Sequence, residues 1–153
     1  MNETAVQAAI QTTIQAMSEF ADADVVINDW GIFDQSSLAA PYALITNAEN
    51  IVSRVDTKSE TCTYTIAVIL VERFTNWKES MDNLRTRRQA LVNAYTGQTT
   101  ARSAGGLSGT NITAVRTDGP IGFEYDRGLT AEQMAVALPA YLVQKLAFDC
   151  EEF

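Results

Sequence analysis

The sequence predicts an α+β fold, a mostly antiparallel sheet of about four to six strands with two main helices packed on it. The first observation is a segment, Thr61 to Phe74, that is dense in β-branched and aromatic residues and wholly apolar from Ile66 to Val71. Such a segment is typical of a strand covered on both faces. The second observation is an amphipathic helix pattern directly after it, and the third is that short turns join the other strand candidates, which favours antiparallel pairing. A length of 153 residues fits a single domain, 1–153.

The chain opens with a predicted amphipathic helix from Thr4 to about Ala21, for which Asn2 or Thr4 is the candidate cap. Its apolar positions recur at helical spacing, at Val6, Ile10, Ile14, Met17 and Phe20. The opposite side carries Gln7, Gln11, Gln15 and Ser18, which we expect to face water. A helix that is wet on one side is typical of one that covers a sheet.

Shorter strand candidates precede the long one. Val25 to Ile27 is predicted to be a strand that ends near Trp30, and residues 33–41 are loop-like. Tyr42 to Ile45 is the next candidate, and Ile51 to Val55 either continues it or begins a hairpin. Because residues 56–59 have turn composition, we expect a hairpin that runs from Ile51 to about Val71.

A second main helix is predicted directly after the long strand. Thr75 and Asn76 offer a cap, because a short polar side chain accepts a hydrogen bond from a free backbone N–H. One stripe at spacings of three and four follows, at Trp77, Met81, Leu84, Arg88, Leu91, Val92 and Tyr95. Gly97 is expected to end the helix, since glycine adopts the left-handed conformation without steric cost.

Residues 97–111, GQTTARSAGGLSGTN, are small, polar and glycine-rich, and we expect a flexible loop. One interpretation is a mobile tip. The other is a segment that a partner orders by packing on it, since the run buries too little of itself to offset its ordering entropy. On that interpretation the candidate interaction residues here are Arg102, Gly105, Gly106 and Leu107, with Arg102 as the ionic contact.

The remaining segment predicts a second hairpin, a short helix and a closing strand. Ile112 to Val115 and Ile121 to Tyr125 flank an Asp-Gly pair that favours a tight turn. Thr130 can cap a short helix that reaches Leu138, where a proline stops it. The chain from Ala140 to about Cys150 alternates as a closing strand does.

Composition excludes several classes of function. The net charge of −8 argues against specific or nonspecific grip on nucleic acid, although DNA can pass through an acidic lumen without being held. Histidine is absent, which removes the commonest general base and the commonest zinc ligand. The first residues lack the pattern of a signal peptide, and no apolar run is long enough to cross a membrane. We therefore expect a protein made in the cytoplasm.

The two cysteines, Cys62 and Cys150, lie far apart in sequence and lack a metal-binding spacing. We expect two reduced thiols that behave as small hydrophobic side chains. A disulfide is possible only if the two strands that carry them are neighbours.

The sequence offers no convincing catalytic site. Glu124 and Asp126 fall on the same face of a strand, so a carboxylate-bound metal is one alternative, and a solvated strand face is the simpler one. No activated nucleophile motif is present, and the glycine-rich run lacks the lysine of a phosphate-binding loop. We expect no enzyme activity, no cofactor and no metal site.

The only basic cluster consists of Arg85, Arg87 and Arg88. One interpretation is that these long side chains cover apolar surface while their charged groups reach water. The other is that Arg85 and Arg88 pair with acidic residues of another subunit.

This order of elements resembles the tail terminator proteins of long-tailed bacteriophages. The resemblance lies in an N-terminal amphipathic helix (4–21), a hairpin with a long second strand (61–74), a helix directly after it (75–95) and a closing strand after a proline (PAYLVQKL). It implies a non-enzymatic virion protein of the tail and neck that forms a hexameric ring at the head-proximal end of the tail tube. Such a ring stops tube polymerisation and contacts the tail tube protein and a head-completion or connector protein.

No site residue can be transferred from that family, because no short motif aligns with it. Another neck component, such as a head–tail connector, and a tail tube subunit are the nearest alternatives. A carboxylate-metal enzyme and a small cytoplasmic binding module are the alternatives from other classes.

Overall fold

A mixed sheet with its two long helices on one face forms the framework, which confirms the predicted α+β fold. The computed structural model describes residues 2–27, 41–56, 58–96, 101–104, 106–125 and 128–153. In chain order the elements are α1 (Glu3–Gln15), β1 (Val25–Ile27), β2 (Tyr42–Val55), β3 (Glu60–Arg73), α2 (Trp77–Ala94), β4 (Thr110–Thr117), β5 (Gly122–Glu124), α3 (Ala131–Val136) and β6 (Tyr141–Glu152). The predicted end of β1 near Trp30 and the predicted loop up to residue 40 lie outside the described residues.

The long strand β3 is central, as predicted. The strands of the described chain are ordered β1-β2-β3-β6-β4, with β5 also paired to β6. Every pairing is antiparallel except that of β1 with β2, which is parallel. β3 pairs with β6 from Cys62 to Arg73 without a break, so both edges of the strand are hydrogen-bonded.

The main core lies between the sheet and the two long helices. Alternate residues of β3 enter it, and so do the buried positions of α1 and α2; the larger members are Ile10, Ile14, Ile45, Ile66, Leu70, Leu84, Leu91, Leu142 and Phe148. The other face of the sheet carries a smaller cluster of Tyr42, Leu44 and Val71. Ile69 packs beside that cluster and is only half-buried, so the two faces of β3 are covered unequally.

The first helix is shorter than the sequence suggests. α1 ends at Gln15 rather than near Ala21, and residues 22–24 form a single 3₁₀ turn. The chain leaves the helix because tertiary contacts hold the next residues elsewhere. Phe20 is buried in the core, and the carbonyl of Glu19 accepts a hydrogen bond from Arg87 Nε at 3.2 Å.

The prediction that the polar side of α1 faces water is wrong for Gln7, whereas Gln11 and Gln15 are half-buried and Ser18 is exposed. Gln7 is only 3% exposed, and its Nε2 donates to the Thr46 carbonyl at 2.9 Å. Gln11 Nε2 donates to the Val25 carbonyl at 2.9 Å, and Gln15 Nε2 to the Asp22 carbonyl at 3.0 Å. These amides satisfy backbone groups of β1, β2 and the turn before them, so the helix is joined to the sheet by polar contacts as well as apolar ones.

β2 is one continuous strand, so the interpretation in which Ile51 to Val55 continues it is confirmed. Its register with β3 shifts twice, between Ile45 and Ala48 and between Glu49 and Val52. A bulge leaves backbone groups without their ladder partners. At the first shift, the N–H of Ala48 donates to Glu3 Oε1 at 2.6 Å. The predicted hairpin is present, and Asp56 closes its turn by accepting from the N–H groups of Lys58 and Ser59.

The start of α2 follows the prediction, but its buried face differs. Asn76 is the cap, accepting from the Glu79 N–H at 2.8 Å. Ser80 is fully buried, and its hydroxyl is satisfied there: it accepts a hydrogen bond from the Thr75 N–H at 2.8 Å and donates one to the Arg73 carbonyl. Trp77, placed in the apolar stripe by its spacing, is 49% exposed instead. The predicted stop at Gly97 lies outside the described part of the chain.

The predicted hairpin between β4 and β5 is wrong. Both strands pair with β6, β4 with its second half and β5 with its first half, so they form one interrupted edge. The residues between them remain attached to β6. The Asp118 N–H donates to the Lys145 carbonyl at 2.9 Å, and Gln144 Nε2 donates to the Gly119 carbonyl at 3.1 Å. The Asp-Gly pair therefore makes a local kink, for which Gly119 adopts a φ of 90°.

The C-terminal elements agree with their sequence signals. Thr130 and Gln133 form a reciprocal capping box at the start of α3. β6 extends past Cys150 to Glu152, where Oε1 accepts from the Asn2 N–H at 2.6 Å and from the Tyr64 hydroxyl at 2.7 Å. This carboxylate joins both ends of the chain to the central strand.

Both cysteines are free thiols, as expected. Cys150 is buried, Cys62 is half-buried, and the two lie on neighbouring strands, where Cys150 is opposite Tyr64 and Cys62 is opposite Glu152. Burial, with Asp149 and Glu152 nearby, raises the pKa of the Cys150 thiol to about 12. It therefore stays protonated and unreactive at neutral pH.

The packing of β3 predicts unequal costs for two similar truncations. Ile66→Ala should lower the free energy of unfolding by about 2–4 kcal/mol, because Ile66 is fully buried between sheet and helices. Ile69→Ala, on the half-buried face, should cost less than half as much. Urea unfolding of both variants measures the difference, and equal losses would contradict the unequal covering of the sheet.

The Glu152 contacts predict a dependence on pH. Burial raises the pKa of this carboxyl, but the hydrogen bonds from Tyr64 and Asn2 lower it by more, so the pKa lies below its usual value. Its stabilisation is therefore present above the unfolded pKa of about 4.3 and lost as pH falls through the folded pKa. Glu152→Gln should cost about 1–3 kcal/mol at neutral pH and progressively less in acid. Glu151→Gln is the matched control, and a pH-independent loss in Glu152→Gln would refute this role.

Candidate functional site

The described part of the glycine-rich segment is a series of turns against the core. The Leu107 N–H donates to the Ser103 carbonyl at 2.9 Å, and the Ile112 N–H donates to the Arg102 carbonyl at 2.6 Å. Ala104 is buried, and Leu107 packs against the core cluster. Residues 97–100 and Gly105 lie outside the described chain, so the flexibility of the loop as a whole stays a prediction.

The candidate interaction residues fall into two groups. On α2, Arg85 is exposed and lies 3.8 Å from Asp82, whereas Arg88 Nη1 donates to Gln144 Oε1 of β6 at 3.1 Å. Before β4, Arg102 is half-buried and directs its Nε toward the Ile112 carbonyl at 3.5 Å, and Gly106 is exposed with a φ of 90°. The guanidinium groups of Arg88 and Arg102 thus have partners within the subunit, and the role of the whole set at an interface stays a prediction.

The third arginine of the basic cluster makes the strongest internal contact. Arg87 forms an ion pair with Glu72, which is 5% exposed, at the end of β3. It also donates to the Glu19 carbonyl, and its guanidinium lies 6.0 Å from the centre of the Phe20 ring. Arg87 therefore connects α2, β3 and the residues that follow α1. Sequence spacing gave no sign of this pair, because Glu72 is 15 residues away on another element.

The charge state of Glu72 depends on that arginine. Burial raises the pKa of the Glu72 carboxyl, and the Arg87 guanidinium only partly offsets this effect. A buried carboxylate without its cation would be far more costly, because water no longer solvates it. The pair thus has a structural role and does not mark a reactive site.

The described residues contain no cluster suited to metal chemistry. Glu124 is exposed on β5, and Asp126 lies outside the described residues, so the proposed carboxylate pair has only one placed member. Across the described ranges, no group of three or more His, Cys, Asp or Glu side chains converges to hold a metal ion.

None of the helices placed in the structure is long and apolar enough to cross a membrane.

The exposed apolar surface is concentrated at the two ends of the sheet. Within the described chain, the large exposed hydrophobic side chains are Ile51, Val52, Val55, Trp77, Phe123, Val136, Leu138 and Phe153. We call Ile51, Val52, Val55 and Phe153 the hairpin end, because they lie on or beside the tip of β2 and β3. We call Trp77, Phe123, Val136 and Leu138 the aromatic end.

The aromatic end is built from aromatic rings in contact with one another. The ring of Trp77 packs edge-on against Phe74 and Phe123, with ring centres 4.9 Å and 5.5 Å apart. Two backbone hydrogen bonds hold the surrounding chain, from Phe74 N–H to the Ala140 carbonyl and from Ala140 N–H to the Glu124 carbonyl. Val136, at 86% exposure, and Leu138 lie a few residues before Ala140. Exposed and fixed aromatic rings are typical of protein–protein contacts.

The hairpin end has a different character. It is formed by extended backbone whose residues 51–56 are all exposed, and Val55 is 76% exposed. Phe153 adds a ring beside Glu60 and Cys62. The sequence shows these residues to be apolar, but alternation alone gave no sign that both faces of the hairpin tip would be open to solvent.

The Arg87–Glu72 pair predicts a large, pH-dependent effect. Arg87→Met should lower the free energy of unfolding at neutral pH by about 3–5 kcal/mol, because Glu72 then lacks a cation. The deficit should shrink as pH falls, since the folded variant binds a proton at Glu72 more tightly than the unfolded chain does. Arg85→Met, which removes an exposed pair, should cost less than about 1 kcal/mol. Chemical denaturation at several pH values provides the measurement, and equal costs for both variants would contradict the buried role of Arg87.

No protein-family model and no curated protein sequence matches the chain. Among solved structures, it is similar to a chain in the virion of a native gene transfer agent (GTA) particle. The sequence identity is 10%, the TM-score is 0.57, and the alignment covers 95% of this chain and 92% of that one. The likeness extends over nearly the whole of both chains, and it shows that this protein has a fold that is also used in a virion particle.

Proposed function

We propose that this chain is a structural protein of a phage-like virion, and specifically a tail terminator. The observation that carries the proposal is the whole-length likeness to a chain of the GTA virion. In this role the protein forms a ring, expected to be a hexamer, at the head-proximal end of the tail tube. It stops tube polymerisation and contacts the tail tube protein on one side and a head-completion or connector protein on the other.

The surfaces of the subunit are suited to assembly. Its apolar exposure is concentrated in two separate regions that differ in shape and chemistry. A ring requires this kind of difference, because each subunit contacts its neighbours through two unlike surfaces.

The charge of the chain is compatible with a ring through which DNA passes. With 11 basic and 19 acidic residues, the subunit has a formal charge of −8. An acidic lumen repels phosphates and so does not hold the DNA. Several of the arginines, including Arg87 and Arg116, already pair with carboxylates of the same subunit.

The proposal is tested by deleting the gene in the host that produces the particle and imaging the products by electron microscopy. Loss of a tail terminator should give tails of irregular and excessive length that are not joined to heads, and the gene supplied in trans should restore normal particles. Quantitative mass spectrometry of purified virions should find about six copies per tail, as one ring requires.

Other outcomes would assign a different component. Tails of normal length that fail to join heads would indicate a connector. Absence of tails, together with many copies per virion, would indicate a tube subunit. Absence of the protein from purified virions would overturn the structural role altogether.

A further inference from the structure

The outer edge of β4 is closed by the turns that precede it in the chain. β4 is the last strand of the sheet, and β6 is its one strand partner among the described residues. On the other side of β4, the Thr110 N–H donates to the Leu107 carbonyl at 3.3 Å, and the Ile112 N–H donates to the Arg102 carbonyl at 2.6 Å. Arg102 Nε is directed back to the Ile112 carbonyl at 3.5 Å, so both backbone groups of Ile112 are occupied.

The residues that supply these partners have their own attachments to the subunit. We call residues 101–104 and 106–109 the strap. Leu107 packs against the main core, and Ala104 is buried in it. Ala104 adopts a φ of 49°, which is unfavourable for a residue with a Cβ and indicates that tertiary contacts fix the backbone here. At the far end of the strap, the Gly109 carbonyl accepts from the Phe153 N–H at 2.8 Å.

The second half of β4 has other features that disfavour pairing with a further strand. Its register with β6 shifts between Ile112 and Ala114, and Thr113 Oγ1 donates to the Asp149 carbonyl at 3.2 Å. Arg116 is exposed there and forms an ion pair with Asp149 at 3.0 Å. Bulges and charged side chains both hinder the pairing of a sheet edge with another chain. The strap therefore covers the part of β4 that precedes the bulge.

The composition of β4 makes an uncovered edge hazardous. Five of its eight residues are β-branched, at Thr110, Ile112, Thr113, Val115 and Thr117. Such residues favour extended backbone, and a short strand rich in them pairs readily with other strands when its N–H and C=O groups are free.

We propose that the strap blocks strand addition at β4, and that its displacement lets β4 of one copy pair with β4 of another. An added strand would hydrogen-bond to the backbone groups that the strap already occupies, so the two cannot be bound at once. The glycine-rich segment thus acts on the sheet of its own subunit and prevents self-association through this edge.

Two single substitutions displace the strap by different routes in the full-length chain. Leu107→Asp replaces an apolar contact with the core by a charge that must stay in water. Gly109→Ala places a methyl group 3.1 Å from the Phe153 carbonyl oxygen, at a φ of 72° that disfavours any side chain. Leu138→Asp is the matched control, because Leu138 is 64% exposed and lies outside the strap. Thermal unfolding checks that each variant is folded.

Hydrogen exchange at the Thr110 and Ile112 amides and sedimentation over a range of concentrations provide the measurements. Both amides should be protected in the wild type and in the control. In each strap variant at low concentration, they should exchange at least about tenfold faster. At higher concentration, both strap variants should form species larger than those of the wild type. In these species the two amides should be protected again, because β4 of a second copy takes the place of the strap.

Four results would overturn the proposal. Fast exchange of the Ile112 amide in the wild type would show that the strap does not close the edge. Slow exchange in a folded strap variant would show that other contacts close it. Fast exchange with an unchanged mass would show that the open edge does not pair, and larger species with unprotected amides would place self-association elsewhere. If Leu107→Asp fails to fold, Gly109→Ala, which adds no charge, gives the same comparison.

Discussion

The pairing of β3 on both of its edges is the constraint on which the other elements depend. β2 and β6 are aligned against the same strand, so the register of each is fixed relative to the other. Three residues separate the end of β3 from the start of α2, and Ser80 closes that junction by bonding to Arg73 and Thr75. A one-residue slip of β3 would turn Ile66 and Leu70 out of the core, so this strand specifies the fold more strongly than any helix does.

Hydrogen bonds between the helices and the sheet also determine where the helices lie on the sheet. Gln7 and Glu3 bond to backbone groups beside the first bulge of β2, and Arg87 reaches the buried Glu72 at the end of β3. Apolar packing alone would tolerate small shifts of a helix, whereas these hydrogen bonds are satisfied in only one position. Breaking one of these hydrogen bonds leaves a buried polar group without a partner, and this costs more free energy than forming the bond gains. These contacts therefore determine which arrangement forms more than they add to its stability.

The sequence predicted the features that depend on neighbouring residues. The apolar run of β3, the Asn76 cap and the Thr130 cap are local signals, and the structure contains all three. The errors have a common physical cause, since each required knowledge of a distant partner. The Asp-Gly turn failed to make a hairpin because β6 was a better partner for both flanking strands. Likewise, the exposure of Trp77 and the pairing of Arg87 depend on residues remote in sequence.

The unequal ends of the sheet follow from its construction. At one end, β2 and β3 reverse through a tight turn, and no described helix covers that tip. At the other end, β3 enters α2 while β5 and α3 lead into β6, so aromatic and aliphatic side chains gather around Trp77. A sheet with a hairpin at one end and helix junctions at the other cannot present identical surfaces at both. A contact that joined the two ends would therefore be directional, because the surfaces that met would be different.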